Sequence, residues 1–479
     1  VSRVFQHLRY CCLLPSLLLM VILSGCASVN FEQSLAKTNH DAADFTQGQL
    51  NLAQTKEQRE KLERMAGEIL QKPLSQNDAV LLALVNSPEL QALLAENWAD
   101  AANAAQAGRI ANPVFTFEQL RSANEIEFSS LIAFGLLDLL TLPQRYNKAQ
   151  RMIEQTQLQL TGSVVDHITL VRQAWIRAVA AQQSHFYARQ VYEAAEASAE
   201  LARQLQAVGN FNKLQRARQQ SFYADSATQR AVIQLTASAA KEELVRRLGL
   251  TDDQVKHLVL PDRLPDLPGK PIAPEAAGNI TKAARLDIRL AHAEYESAAR
   301  AQGLTDFTSI TDIELGLRYD STKVRTDDTK DIKRGYEVSV RVPLFDWGDA
   351  QRDAMNARTL AAANRLEATV RAAGSHLRQS YAAYRTAFDI ARHYSDEVVP
   401  LRKTISEENL LRYNGMLIGV FELLADARDQ IHSVIAAIAA AEQFWLSDAA
   451  LQASLLGKPT VTSVGPRAVA GNGRSEVQH

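Results

Sequence analysis

Four short runs in a chain otherwise rich in helix formers alternate apolar with polar residues, and they restrict the fold more than any other feature. In the second half Ile313, Leu315, Leu317 and Tyr319 alternate with Asp312, Glu314, Gly316 and Arg318. Further on, Tyr336, Val338, Val340, Val342 and Leu344 alternate with Glu337, Ser339 and Arg341. Period two puts the apolar side chains of a strand on one face. Each run approaches the roughly 9–11 residues that a tilted strand needs to cross a bilayer. Asp320 to Gly335, rich in Lys, Arg and Asp, reads as an exposed loop between them. The first half repeats the pattern less regularly. Phe115 and Phe117 follow Asn112-Pro113, and Ile126, Phe128, Ile132, Phe134 and Leu136 form a second run softened by Leu131, Ala133 and Gly135. Strands are expected near 113–142 and near 311–346.

Two hairpins cannot close a cylinder. Open edges would leave unpaired backbone groups in lipid, at several kcal/mol each. A chain with such strands must share a barrel with copies of itself. Three copies would give about twelve strands, enough for a water-filled bore. The inference fails if the runs are soluble strands.

The helical stretches are as unusual. From Tyr146 to Gln206 there is no proline and one glycine, Gly162. About 60 residues at 1.5 Å each would extend roughly 90 Å. Val208-Gly209-Asn210 supplies a turn, and Lys213 to Leu248 returns. The second half runs from Ala350 to Leu411, turns through Asn414-Gly415 and returns from Phe421 to Leu456, with Pro400 expected to kink or break it. Four landmarks recur in order about 200 to 210 residues apart, which reads as a duplication. The repeats are set at 74–265 and 266–457. The expected class is mainly α with a small β part: long helical hairpins plus four strands per protomer. The plainer alternative is a long antiparallel coiled coil with no channel.

Ahead of the repeats, Arg3 and Arg9 precede an apolar run that ends in Leu23-Ser24-Gly25-Cys26. This reads as a secretory signal, 1–25, closed by a lipobox whose Cys26 is acylated. The alternative is an N-terminal helix with an incidental cysteine. Ala27 after the cysteine, by resemblance to bacterial lipoproteins, favours delivery to the outer membrane. Beyond Cys26 the sequence holds no further cysteine, so packing or assembly must replace disulfides. No later segment approaches 20 uncharged apolar residues, so no spanning helix is expected. Segment 26–73 is expected to be the lipid-anchored N-terminal segment, with Asn30 to Lys72 wrapping along the outside as coil with one helix, and 458–479 to be a flexible tail. With 52 basic and 54 acidic residues and a net charge of -2, the chain lacks the basic excess of a nucleic-acid binder. Nucleotide, hydrolase and zinc-protease motifs are absent from the sequence, and the histidines show no metal-ligand spacing. No cofactor, metal or enzymatic activity is expected.

Asn86-Ser87-Pro88-Glu89-Leu90, Val342-Pro343-Leu344-Phe345-Asp346-Trp347-Gly348 and Tyr413-Asn414-Gly415 through Phe421-Glu422-Leu423-Leu424 carry a family resemblance. With the duplication, they make the chain resemble the outer-membrane factors of tripartite efflux and type I secretion systems, the TolC-like proteins, over about residues 74–457. Leu139-Leu140-Thr141-Leu142-Pro143 departs from the family's usual Pro-Leu-x-x-Gly stretch. The resemblance implies a homotrimer with a twelve-stranded outer-membrane barrel and a helical tunnel into the periplasm. It also implies an adaptor docking at the helical tips, here Gly209, Asn210, Asn414 and Gly415, with an inner-membrane pump beyond that supplies the energy. Glu422 and Asp426 share a helix face and resemble the family's acidic constriction; the alternative is two solvated acids. Arg412 and Tyr413 are candidates to tie closed tips by hydrogen bonds. Trp347 is a candidate interfacial aromatic at the barrel rim. The competing function is a periplasmic lipoprotein of helical hairpins, a scaffold or adaptor that never enters the membrane.

Overall fold

A computed structural model describes residues 30–460 apart from 124, 274–284 and 325–329. The expected signal, Cys26 and most of the expected tail lie outside the described residues. The chain runs through α1 (Phe31–Asp41), α2 (Lys56–Ile69), α3 (Gln76–Asn86) and α4 (Pro88–Ala107) into the hairpin β1 (Val114–Arg121) and β2 (Glu125–Gly135). Then come α5 (Leu142–Ala207) and α6 (Lys213–Leu248). A similar order follows in α7 (Leu286–Thr308), β3 (Ile313–Val324), β4 (Lys330–Val340), α8 (Asp349–His393), α9 (Val399–Asn414) and α10 (Val420–Leu455). The chain divides into two compact units, one built on Ala95–Leu160 and Ile288–Val370, the other on Leu35–Leu94, Thr161–Asp287 and the chain from Arg371 onward. Each unit draws on both halves of the sequence.

The first unit holds one antiparallel sheet in the order β1-β2-β3-β4. The two hairpins are joined by β2 pairing with β3, so Phe115, Ile132, Leu317 and Tyr336 form one continuous row. Three strand limits differ from expectation. β2 stops at Gly135, and Leu136–Leu140 is a helical turn. Its straight-chain leucines favour helix, and Arg145 Nη1 binds the Asp138 carboxylate at 2.7 Å to hold the turn onto α5. β4 stops at Val340, opposite Ile313 where β3 begins; the Arg341 N–H still bonds the Asp312 carbonyl at 2.9 Å, and Pro343 has no N–H to carry a ladder further. Most of the expected loop 320–335 is strand, since backbone pairing continues through Lys323 and Lys330 whatever the side chains.

In the second unit α6 begins on a capping box, Asn212 with Gln215. Gly162 is absorbed inside the 66 residues of α5. Pro400 sits at the start of α9, directly after a π-helical turn, Tyr394–Val398. The wider turn absorbs the hydrogen bond that proline cannot make. Three helices, not one, occupy 30–72: α1, the single turn Ala43–Thr46, and α2, which has its own capping box, Thr55 with Gln58. Trp175 anchors one core, packed with Leu74, Leu82, Val171, Leu244 and Leu258. Its Nε1 donates to the Leu74 carbonyl at 2.8 Å, which meets the demand of a buried indole. A second core stacks Tyr384 and Phe388 around Phe444, with centroids 5.5 and 5.7 Å apart. Contrary to expectation, α10 is long and apolar enough to cross a membrane by length and composition, as is the bent pair α3 and α4. Phe444 and Leu451 of α10 and Leu82 and Leu84 of α3 are nonetheless buried in the protein, while 39% of the apolar stretch of α10 is buried.

Asp448 of α10 is the strained acid of this unit. Burial lifts its pKa from 3.8 to about 6, against the attraction of Arg172 and a hydrogen bond with Gln452. Arg172 is occupied elsewhere: Nη2 donates to the Asp44 carbonyl and the guanidinium lies 4.5 Å over the Phe45 ring. A carboxyl that holds its proton more tightly when folded lowers stability as pH rises from about 4 to about 6, with no further change above. Asp448→Asn is therefore expected to flatten that slope and to be the more stable form at pH 7 by up to about 3 kcal/mol. Circular-dichroism melts of both forms between pH 4 and 8 measure it. Parallel profiles would mean that the fold does not disfavour the Asp448 charge.

Candidate functional site

Two surfaces stand out, one in each unit. The first is the sheet. Register assigns Phe115, Phe117, Phe128, Ile132, Leu317, Tyr336, Val338 and Val340 to one face. All are exposed, Phe115 at 63% and Tyr336 at 79%. Contiguous apolar surface of this kind marks a lipid or protein contact. The opposite face carries Glu118, Glu127, Glu314, Asp320, Asp331 and Glu337 against Arg318 and Lys333. There Arg318 pairs with Asp320 at 3.0 Å and approaches Glu337 at 3.8 Å, while Ser129 Oγ donates to Asp320. Alternation thus produces one mainly apolar face and one mainly charged face, although Val114, Leu120 and Leu131 share the charged one. β1 and β4 are the edges of this sheet.

Where β4 hands over to α8, Leu344, Phe345 and Trp347 are exposed, Phe345 almost completely at 99%. The turn depends on Gly348. Its φ is +73°, and a Cβ there would fall 2.6 Å from the Ser309 carbonyl oxygen. Asp346 Oδ1 accepts from the Gly348 N–H, and Arg352 Nη1 donates to the Trp347 carbonyl. Trp347 is thereby held outward at the helix-side end of the sheet's last strand.

The second surface is the pair of turns α5–α6 and α9–α10. Gly209 takes φ +83°, and the Asn210 N–H reaches back to the Leu205 carbonyl at 2.9 Å, a helix-ending motif that wants glycine. The second turn differs from expectation in detail. Gly415 has φ -81° and Met416 takes the left-handed conformation at φ +59°. The Leu417 N–H closes the turn onto the Arg412 carbonyl at 2.8 Å. A left-handed methionine costs about 1 kcal/mol, and its side chain is 94% exposed. Phe211 and Phe421 stack at 4.8 Å and join the two turns. Sequence reading missed this pair, although the two phenylalanines stand about 210 residues apart, the spacing of the repeat.

Arg412, Tyr413 and Glu422 are exposed. Asp426, one turn after Glu422, is half-buried, and its Oδ2 is shielded from solvent with no hydrogen-bond partner among the described residues. Next to it, Arg428 binds Asp429 at 2.9 Å and lies 5.1 Å over the Phe222 ring. The helix brings Glu422 and Asp426 to one side but in different surroundings.

No family model matches the sequence, and no curated protein matches it. Solved structures do. The CmeC outer membrane channel of Campylobacter jejuni aligns over 83% of this chain and 87% of its own, with 13% identity and a TM-score of 0.65. The outer-membrane channel OprN aligns over 82% and 92%, with 18% identity and a TM-score of 0.64. The outer membrane protein VceC of Vibrio cholerae aligns over 83% and 96%, with 14% identity and a TM-score of 0.61.

Proposed function

We propose that this chain, which has the fold of outer-membrane channel proteins, is the outer-membrane component of a tripartite efflux or export system, a passive exit duct made by three copies. The observation that carries the reading is the sheet: one exposed apolar face, one charged face and two edges that other copies can pair. In lipid those edges demand partners, and a homotrimer closes them. In this reading residues 1–25 are a signal and Cys26 carries the lipid that ties segment 26–73 to the membrane. The repeats 74–265 and 266–457 each supply one hairpin and one long helical pair, and 458–479 is a tail. Trp347 marks the membrane interface. The turns at Gly209, Asn210, Asn414 and Gly415 receive a periplasmic adaptor, with an inner-membrane pump beyond. Glu422 and Asp426, with Arg412 and Tyr413, form the periplasmic gate.

Planar-bilayer recording of the detergent-purified protein tests both the duct and the gate. The duct gives stepwise conductance and runs as a trimer; a monomer without steps would favour the scaffold reading. Glu422→Ala with Asp426→Ala is expected to raise conductance or weaken block by divalent cations, since rings of carboxylates bind cations. Unchanged values in both assays would remove the two acids from the gate.

A further inference from the structure

From the register of the sheet we infer that its apolar face ends in a cationic collar that holds the phosphates of an anionic glycolipid in the outer leaflet. The inference rests on the barrel reading above. Arg121, Ile126, Lys323 and Lys330 stand in one continuous row across all four strands. This row shares its face with Phe115, Ile132, Leu317 and Tyr336, and it lies at the hairpin end, away from the helices. Two rows inward on the same face, Arg334 lies 5.9 Å over the Tyr319 ring. Among the described residues of the strands, the acids at this height, Glu125, Glu127 and Asp331, are on the opposite face. Among the described strand residues, charge is therefore sorted by side as well as by height.

The distances fit a lipid. From Ile313 to Lys323 the strand rises about 33 Å at 3.3 Å per residue. With a tilt near 40° that is roughly 25 Å of height, the thickness of an outward apolar band. The row of cations thus begins where acyl chains give way to headgroups. Phe128 and Ile332, one row below it on the same face, suit the chains of the same molecule whose phosphates meet the collar. Charge complementarity selects a phosphorylated lipid over a zwitterionic one.

The test uses the full-length protein in phosphatidylcholine nanodiscs doped with either a bis-phosphorylated glycolipid or the same glycolipid stripped of phosphate. Native mass spectrometry counts the glycolipid retained per trimer. The wild type is expected to prefer the phosphorylated form by at least about tenfold, decreasing with salt. Arg121→Gln with Lys323→Gln and Lys330→Gln should cut that preference to under about threefold, and Lys330→Gln alone should lower it partially. Lys333→Gln, which removes a cation from the opposite face, should leave it intact, and millimolar inorganic phosphate should not displace the lipid. Equal retention of both glycolipids by the wild type overturns the proposal, and so does an equal loss in Lys333→Gln. Conductance steps recorded from the same preparation separate the two readings. Steps without phosphate preference sink the collar alone, and the absence of steps sinks the barrel and the collar together.

Discussion

Arginine in place of Leu317 is expected to abolish membrane assembly, whereas arginine in place of Thr116 leaves it intact. Leu317 lies midway along the apolar rows that run from Ile313 to Ile332, flanked by Ile132 and Tyr336. A charge at the bilayer midplane on the lipid side of a barrel costs about 2–4 kcal/mol per site. Three copies would raise that to roughly 6–12 kcal/mol per trimer, comparable to the whole stability of an ordinary domain. Thr116 is exposed on the other face, in a row that already contains Arg318, so a further arginine there meets water. Heat-resistant trimer on semi-native gels and conductance in bilayers read the result. If Leu317→Arg assembled and conducted like the wild type, the apolar face would not be the lipid face, and the exit-duct reading would lose its support.

The faces of the sheet were legible because period two survives every local irregularity. The strand ends were not, since a ladder stops where backbone partners stop. Val342 and Leu344 keep the alternation past Val340 but flank a proline, and Lys323 and Lys330 look like loop residues yet pair. The joining of the hairpins through β2 and β3 was equally hidden, because partners such as Ile132 and Leu317 are far apart in sequence. The long helices were readable from what they lack, proline and glycine, and Pro400 announced the break that became a π-turn. At the second turn the asparagine-glycine pair gave the place but not the residue in the left-handed conformation, which is Met416. Of the gate candidates, spacing placed Glu422 and Asp426 on one side of α10. It could not foresee that Asp426 alone would be shielded.

Two glycines that attracted no notice in the sequence are expected to matter more than the glycine at the α5–α6 turn. Gly249 ends α6 at φ +66°, and a Cβ there would lie 2.3 Å from Pro88 Cδ and 3.0 Å from Ser87 Cα. Asn86 fastens the same junction: its Nδ2 donates to the Leu248 and Gly249 carbonyls at 3.1 and 3.0 Å, and its Oδ1 accepts from Gln254. Gly457, just past α10, repeats the device at φ +93°, with a Cβ position 2.6 Å from Asp287 Oδ1 and 2.9 Å from the Leu286 nitrogen. In both halves, then, the last helix ends on a left-handed glycine pressed against the opening of the same half. That contact ties the start of each helical module to its end. Gly249→Ala must bear a left-handed alanine, about 1–2 kcal/mol, and overpacking against a rigid proline ring, about 1–3 kcal/mol. A loss of roughly 2–5 kcal/mol is expected. Gly209→Ala is the control, because Gly209 has φ +83° but open space around its Cβ position, leaving only the backbone penalty. Denaturant unfolding followed by circular dichroism compares the two. Should Gly249→Ala lose no more stability than Gly209→Ala, the Asn86-Ser87-Pro88 bend is free to move away from α6, and the end-to-start clasp of the module does not exist.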